Sequence, residues 1–259
     1  MIILKSKKEI EGIKDASKIL AETFEFINEI IQEGMETKAL DREIEEFIKK
    51  KKALPAFKGY RGYPASSCIS INEVVIHGIP CERCIKEGDL VSVDVGVKYK
   101  EFYSDAAFTF GIGKIDKKAE KLIEIGKMAL YKAIEEIKEE NRVGDISWAI
   151  QETAEKAGFN VVRDFVGHGV GVELHEDPPI PNFGEKGIGP KLKKGMTIAV
   201  EPMINAGTSK VRILEDGWTV VTEDGSPSVH FEHTILVTEK GPLILTESSL
   251  YDEKRKRTS

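Results

Sequence analysis

Apolar residues along the chain recur with a helical period, then with a strand period, and the sequence of periods happens twice. Over residues 7–33, Ile10, Ile13, Leu20, Phe24, Ile27 and Ile31 fall near one face of a helix, and Gly34 ends it. A second amphipathic stretch starts at about Thr37, which reads as its N-cap, and runs to Lys52 with Leu40, Ile44, Phe47 and Ile48 inward. The Gly-, Pro- and Tyr-rich PAFKGYRGYPASS at 55–67 reads as a loop. Short alternating runs follow, SCISI, EVVIH, DLVSVDVGV and FYSDAAFTF, each bounded by turn residues. The order then restarts. Helices are expected at 116–139 and at 145–157, the latter with Asp145 as N-cap and Gly158 as stop, and strands at VVRDFV, MTIAVEPMI, WTVVTE and HFEHTILVTE.

The restart extends to single residues. EGDLVSVDVG at 87–96 matches KGMTIAVEPM at 194–203: Gly88 stands six residues before Asp94, and Gly195 six before Glu201. FYSDAAFTFG matches VHFEHTILVT and sets Asp105 against Glu232. Any two strands look alike over ten residues, but an acidic residue at the same place twice in each half points to duplication. The expectation is an α+β chain with half-repeats at about 1–112 and 113–250, forming one catalytic domain over 1–250. A charged tail, 251–259, follows.

A chain of 259 residues with 41% hydrophobic content can bury a sizeable core. The formal net charge of −6 argues against a nucleic-acid footprint, so no DNA partner is expected; the basic KRKR at 254–257 reads as a solvated end. No apolar run is long enough to span a membrane, and the N-terminus turns charged too soon for a signal peptide, which points to the cytoplasm. Three cysteines fit a reducing compartment. Cys81 and Cys84 form a lone CxxC without the second pair that a zinc ribbon needs, and read as structural or incidental. Abundant Lys and Glu with two Gln lean toward a heat-adapted composition.

Asp94 lies inside VSVDVGV and Glu201 inside TIAVEPM. A carboxylate buried there is costly unless paired or bound to metal. If the halves pack about a pseudo-twofold axis, Asp94, Asp105, Glu201 and Glu232 converge. Two divalent cations balance four carboxylates, and His168, on a Gly-rich strand, completes the shell as a neutral imidazole. Such an O-rich set with one nitrogen suits Mn, Fe, Co or Zn. Two ions can activate a water and polarise a carbonyl, an arrangement for hydrolysis. His77 and His175 remain as donors to a substrate carbonyl or oxyanion. His230 shares a strand face with Glu232 and is placed behind the ligands. His233 points the other way and carries no assigned function.

These residues stand in motifs that resemble the type 1, bacterial-like methionine aminopeptidases of the M24 metallopeptidase family: SINEVVIHGIP at 70–80, DVGVKYKEFYSD at 94–105, GHGVGVELHE at 167–176, EPMINAG at 201–207 and DGWTVVTEDGSPSVHFEHTILVT at 216–238. The resemblance runs over about residues 2–247. It implies the pita-bread fold, two pseudo-symmetric halves with a central antiparallel sheet covered by helices. It implies the same five metal ligands, Asp94, Asp105, His168, Glu201 and Glu232, with Glu201 also moving the proton of the attacking water. His175 would meet the scissile carbonyl and His77 the substrate amide or the intermediate. A methionine pocket would draw on Tyr60, Tyr63, Cys68 and Trp218, and Asn72, Val74 and Ser228 match a monovalent-cation site for Na or K.

The implied reaction removes the initiator Met of nascent chains when the second residue is small, by a cytoplasmic monomer with the ribosome as a candidate partner. The interval from His168 to Glu201 is too short for the helical insertion of the type 2 form, and there is no Cys-rich N-terminal extension. One departure is Leu174, next to His175 at the pocket's border, where bacterial relatives carry Phe. Two rivals share the fold: an Xaa-Pro aminopeptidase or prolidase, which usually carries a further N-terminal domain, and a non-catalytic ribosome-associated binding module, which typically loses ligands.

Overall fold

The computed structural model describes residues 1–251, so the KRKR segment of the tail falls outside the described residues. Among the described residues four α-helices form: α1 at Lys7–Ile30, α2 at Thr37–Lys50, α3 at Lys117–Glu135 and α4 at Val143–Lys156. Ser6 caps α1: its hydroxyl accepts the Glu9 N–H at 3.3 Å, while the Glu9 carboxylate accepts the Ser6 N–H at 2.6 Å. Ile13, Leu20, Phe24 and Ile27 are buried on the expected face.

The helix ends differ from the pattern for tertiary reasons. Helix α1 stops at Ile30, before the expected 33, and the chain beyond it pairs with another segment: Gly34 N–H reaches Ile85 O and Ile85 N–H reaches Met35 O. Thr37 is the first residue of α2 rather than its cap, which is Glu36. Its hydroxyl is used elsewhere, donating to Cys81 O at 3.0 Å and accepting the Cys81 N–H at 2.8 Å. Helix α3 ends at Glu135, short of 139, because the chain turns to pair with Leu192. Arg142, not Asp145, caps α4; the Asp145 carboxylate stands in the first turn and accepts the Arg142 N–H at 2.7 Å.

Among the described residues every strand pairing is antiparallel, and the strands fall into four hydrogen-bonded sheets. In the first half, Leu90–Tyr99 and Phe102–Gly111 make a long hairpin, with Asp94 opposite Ala107 and Gly96 opposite Asp105, so both aspartates share one face. In the second half the expected continuous strands are broken. MTIAVEPMI becomes Thr197–Val200 and Met203–Asn205, and HFEHTILVTE becomes Ser228–His230 and His233–Thr238. VVRDFV likewise divides into Asn160–Val161 and Val166–Gly169. The breaks occur because each strand changes sheet: Thr197–Val200 pairs with His233–Leu236, and Met203–Asn205 with Ser228–His230. Glu201 and Glu232 stand in those breaks, next to the last pair, Val200 with His233.

The halves meet along a short seam. Ala107 and Glu232 form a single backbone bridge. On one side of it the Thr234 hydroxyl accepts the Asp105 N–H at 3.0 Å and donates to Asp105 O at 2.8 Å. On the other side the Thr109 hydroxyl does the same for His230, at 2.9 Å in each direction. Where the two strands diverge, threonine side chains replace the ladder bonds and satisfy buried backbone groups. Helices α1 and α3 pack on the strands of this central region, and Phe231, fully buried, fills the space against α3 at Gly126.

Thr234 is fully buried. Thr234→Val, which keeps the shape and removes the hydroxyl, is expected to destabilise the protein by about 1–3 kcal/mol. A lower urea midpoint with an unchanged slope checks it; an unchanged midpoint would show that the seam does not depend on the hydroxyl.

Candidate metal centre

The seam and the strand breaks bring the five sequence-predicted ligand residues to one cavity of about 140 Å³, which Asp94, Asp105, His168, Glu201 and Glu232 all line. Ligand atoms of Asp105, His168 and Glu232 lie within 4.8 Å of one another. His168 Nε2 is 3.6 Å from Glu201 Oε1 and 4.0 Å from Asp105 Oδ2. Asp94 stands outside that tight trio, on the same hairpin face as Asp105.

Local chemistry prepares each group. His168 Nδ1 lies 2.9 Å from Gly169 O, and a carbonyl can only accept, so Nδ1 carries a proton and Nε2 is the nitrogen turned to the carboxylates. The strand Val166–Gly169 allows this because neither neighbour of His168 has a side chain: a Cβ on Gly167 would sit 2.4 Å from Ala199 O, and one on Gly169 2.4 Å from Asp177 O. Burial, opposed by the charge of His230 and reinforced by that of Glu201, raises Asp94 to about 7. Burial and the charges of Asp94 and Glu201 push Asp105 well above the usual carboxylate range, and burial with the charge of Asp105 does the same to Glu232. Asp94 Oδ1 and Asp105 Oδ1 are buried without a hydrogen-bond partner. An oxygen-rich set with one imidazole, mutual repulsion and stranded buried oxygens fits divalent cations. His230, buried, brings Nε2 to 3.3 Å from Glu201 Oε2, behind the cavity wall as its strand face suggested. His233 lies away from the cavity, with Nδ1 2.9 Å from the Thr246 hydroxyl.

The rest of the cavity is mainly aromatic and imidazole. Tyr60, Tyr63, Cys68, His77, His175 and Trp218 line it, joined by Phe57 and Arg61, which the sequence reading missed. Leu174 does not line the cavity; it is buried behind it, packed with Phe57, Tyr63 and Cys68. Burial pushes the Cys68 thiol up, so it stays protonated as a small polarisable wall. His77 holds a left-handed backbone, φ +56°, just past the strand Val74–Ile76, with its ring edge-on to Trp218 at 6.3 Å. Burial lowers it, and burial lowers His175 further, to about 3, so both imidazoles are neutral at pH 7. His175 Nδ1 is 3.0 Å from the Tyr60 hydroxyl, and the two rings stack at 5.1 Å.

Supports for this wall come from far along the chain. One oxygen of buried Asp41 accepts Ser66 N–H, Ser67 N–H and the Ser67 hydroxyl at 3.1, 2.8 and 2.7 Å, fixing the approach to Cys68. Glu176, next to His175, accepts Val172 N–H at 2.7 Å and Glu173 N–H at 3.0 Å and forms a buried ion pair with Lys5. Asn72, Val74 and Ser228 adjoin one another below the cavity: Ser228 N–H bonds Asn72 O at 2.8 Å, and the strands Val74–Ile76 and Ser228–His230 pack together. Cys81 and Cys84 are exposed free thiols beside the start of α2. Among the described residues no helix is long and apolar enough to cross a membrane.

Comparison with known proteins agrees with this geometry. Residues 11–239 match the description "Metallopeptidase family M24". The chain is 53% identical to a methionine aminopeptidase of Clostridium perfringens over 95% of this chain and 99% of that one. It is 48% identical to methionine aminopeptidase 1 of Bacillus subtilis, over 95% and 99%. The crystal structure of a Thermotoga maritima methionine aminopeptidase superposes with a TM-score of 0.94 at 50% identity, covering 95% of this chain and all of that one. A Pyrococcus furiosus prolidase superposes at 0.78 and 28% identity, with 95% of this chain on 65% of that one. Carboxylates gathered from a long hairpin and from two strand breaks, an imidazole among them and a match over nearly the full length lead to one conclusion: the chain belongs to metallopeptidase family M24.

Proposed function

We propose that the protein is a metal-dependent methionine aminopeptidase that removes an N-terminal Met when the second residue is small. The observation that carries the reading is the convergence of Asp94, Asp105, His168, Glu201 and Glu232 on one wall of a cavity whose other wall is aromatic and sulfur-bearing. In this reading those five hold two divalent ions, Co, Mn, Fe or Zn. When bound, the ions supply Lewis acidity, which lowers the pKa of water and polarises a carbonyl at neutral pH.

The side chains divide the remaining work. The carboxylate wall attracts the substrate ammonium. Tyr60, Tyr63, Cys68 and Trp218 receive the Met thioether, with Leu174 packed behind them. Glu201 takes the proton of the attacking water, held in place by His230 at 3.3 Å. Neutral His175, its Nδ1 engaged by Tyr60, offers Nε2 to the scissile carbonyl, and neutral His77 donates to the substrate amide. Asn72, Val74 and Ser228 hold a monovalent cation, Na or K, that stiffens the strands under the pocket. The reading extends to a cytoplasmic monomer that meets nascent chains at the ribosome. The Xaa-Pro hydrolases share the fold, but the prolidase neighbour is more distant in sequence and longer than this chain.

The primary test is Met release from Met-Ala-Ser by chelated protein before and after Mn or Co is added, with N-acetylated and Xaa-Pro peptides as controls. Release restored by metal from the free peptide alone is expected; preferential Xaa-Pro cleavage would give the reading to the prolidase class. Glu232→Ala is expected to lose activity to background, and near wild-type turnover would end the two-metal proposal. His175→Ala is expected to fold and bind metal but to turn over about 10²–10³-fold more slowly; loss of its metal would move His175 among the ligands. Because Asp94 titrates at about 7 without metal, protons compete for the site. Metal affinity measured by calorimetry should weaken as pH falls through 7, with proton release on binding; a flat profile from pH 6 to 8 would contradict it.

A further inference from the structure

Arg61 is the single strongly basic side chain among the described residues that line the cavity. It is exposed, and while nearby Lys58 is paired with Glu45 at 2.8 Å, Arg61 enters no ion pair among the described residues. Its backbone is left-handed, φ +49° and ψ +22°, between Gly59 and Gly62, which have the same sign of φ. A third glycine would adopt that conformation freely, yet the position carries a long cationic side chain. A ladder of ring contacts orders the groups from the metal wall outward. His168 and His175 are 4.2 Å apart, His175 stacks on Tyr60 at 5.1 Å, and the Arg61 guanidinium lies over Tyr60 at 5.3 Å. Arg61 therefore stands at the mouth, outside the histidine that faces the scissile bond.

A peptide whose ammonium is drawn to the carboxylate wall must leave past this mouth. An extended chain advances about 3.3 Å per residue, so it passes Arg61 at about its third to fifth residue. We propose that Arg61 is a specificity-determining residue that binds acidic side chains at those downstream positions, so that the protein favours substrates carrying Asp or Glu there. The inference rests on the aminopeptidase reading. Without Arg61 the carboxylate wall and the net charge of −6 would repel such substrates. The same guanidinium could take the terminal carboxylate of a short peptide, so the test separates the two sources.

The test compares kcat/KM of the Mn-loaded protein for C-terminally amidated Met-Ala-Ser-Glu-Glu, Met-Ala-Ser-Gln-Gln and Met-Ala-Ser-Lys-Lys. Met-Ala-Ser as free acid and as amide completes the set. At low salt the Glu peptide is expected to exceed the Gln peptide about two- to fivefold, as an exposed charge pair allows, with the ratio shrinking at high ionic strength. In Arg61→Gln the ratio should fall to one, and in Arg61→Glu the Lys peptide should become preferred. Each ratio is taken within one protein, so a general loss of activity or folding cancels. A wild-type ratio of one, or the same ratio in Arg61→Gln, overturns the inference. So does a preference confined to the free acid over the amide of Met-Ala-Ser, which would give Arg61 to the chain terminus. No release from any peptide removes the aminopeptidase activity and the inference with it.

Discussion

Carboxylates that share a buried wall repel one another, and the structure around them is arranged to hold them there. Two unit charges 4 Å apart repel by about 4 kcal/mol at an effective dielectric of about 20. Asp105 and Glu232 answer by rising far from their ordinary titration range, and Asp94 by moving to about 7. Nothing in the local backbone of two strands and two strand breaks would keep such groups together. The long hairpin, the strand breaks at Glu201 and Glu232 and the bridge between Ala107 and Glu232 do so. The same arrangement orients His168 Nε2 toward the carboxylates through the Gly169 carbonyl.

The cavity is lined by carboxylates together with aromatic, imidazole and thiol groups, and neither set comes from one sequence half alone. The first half gives Asp94 and Asp105 but also most of the apolar wall, from Phe57 to His77. The second half gives His168, Glu201 and Glu232 together with Trp218 and His175. The repeated sequence pattern covers the carboxylates, whereas most of the remaining lining comes from segments outside that pattern. The loop at 55–67 is such a segment, and so is the Gly-rich stretch through His175.

All five candidate ligands could be read from the chain because each is an acidic or imidazole side chain in an otherwise apolar or glycine-rich strand, a local contradiction that spacing exposes. The strand breaks could not be read, because alternation continues through Glu201-Pro202 and Phe231-Glu232 while the pairing partner changes. The caps misled for a similar reason. Thr37 has the composition of an N-cap, but its hydroxyl is committed to Cys81, 44 residues away. Asp41, Lys5 and Glu176 act through partners distant in sequence, which no periodicity marks. Leu174 was expected at the pocket border and instead lies behind Phe57, Tyr63 and Cys68, since it is buried in their cluster. Phe57 and Arg61 went unread because a loop rich in Gly, Pro and Tyr gives no face to which a residue can be assigned.

The two threonines that flank the bridge between the halves have a consequence for how the protein opens. Neither half contains the donor set by itself, and the spacing between Asp105 and Glu232 is fixed where Thr234 grips Asp105 and Thr109 grips the backbone at His230. Fraying of one half cannot leave a half-competent site behind. In the proposed reading, an ion held across the seam would favour only the fully closed chain, so partial openings that separate the halves would become rarer in proportion to its binding. Loss of the ion and loss of cooperativity between the halves are then one event, and amide exchange at residues 105, 107, 230 and 232 becomes a gauge of occupancy.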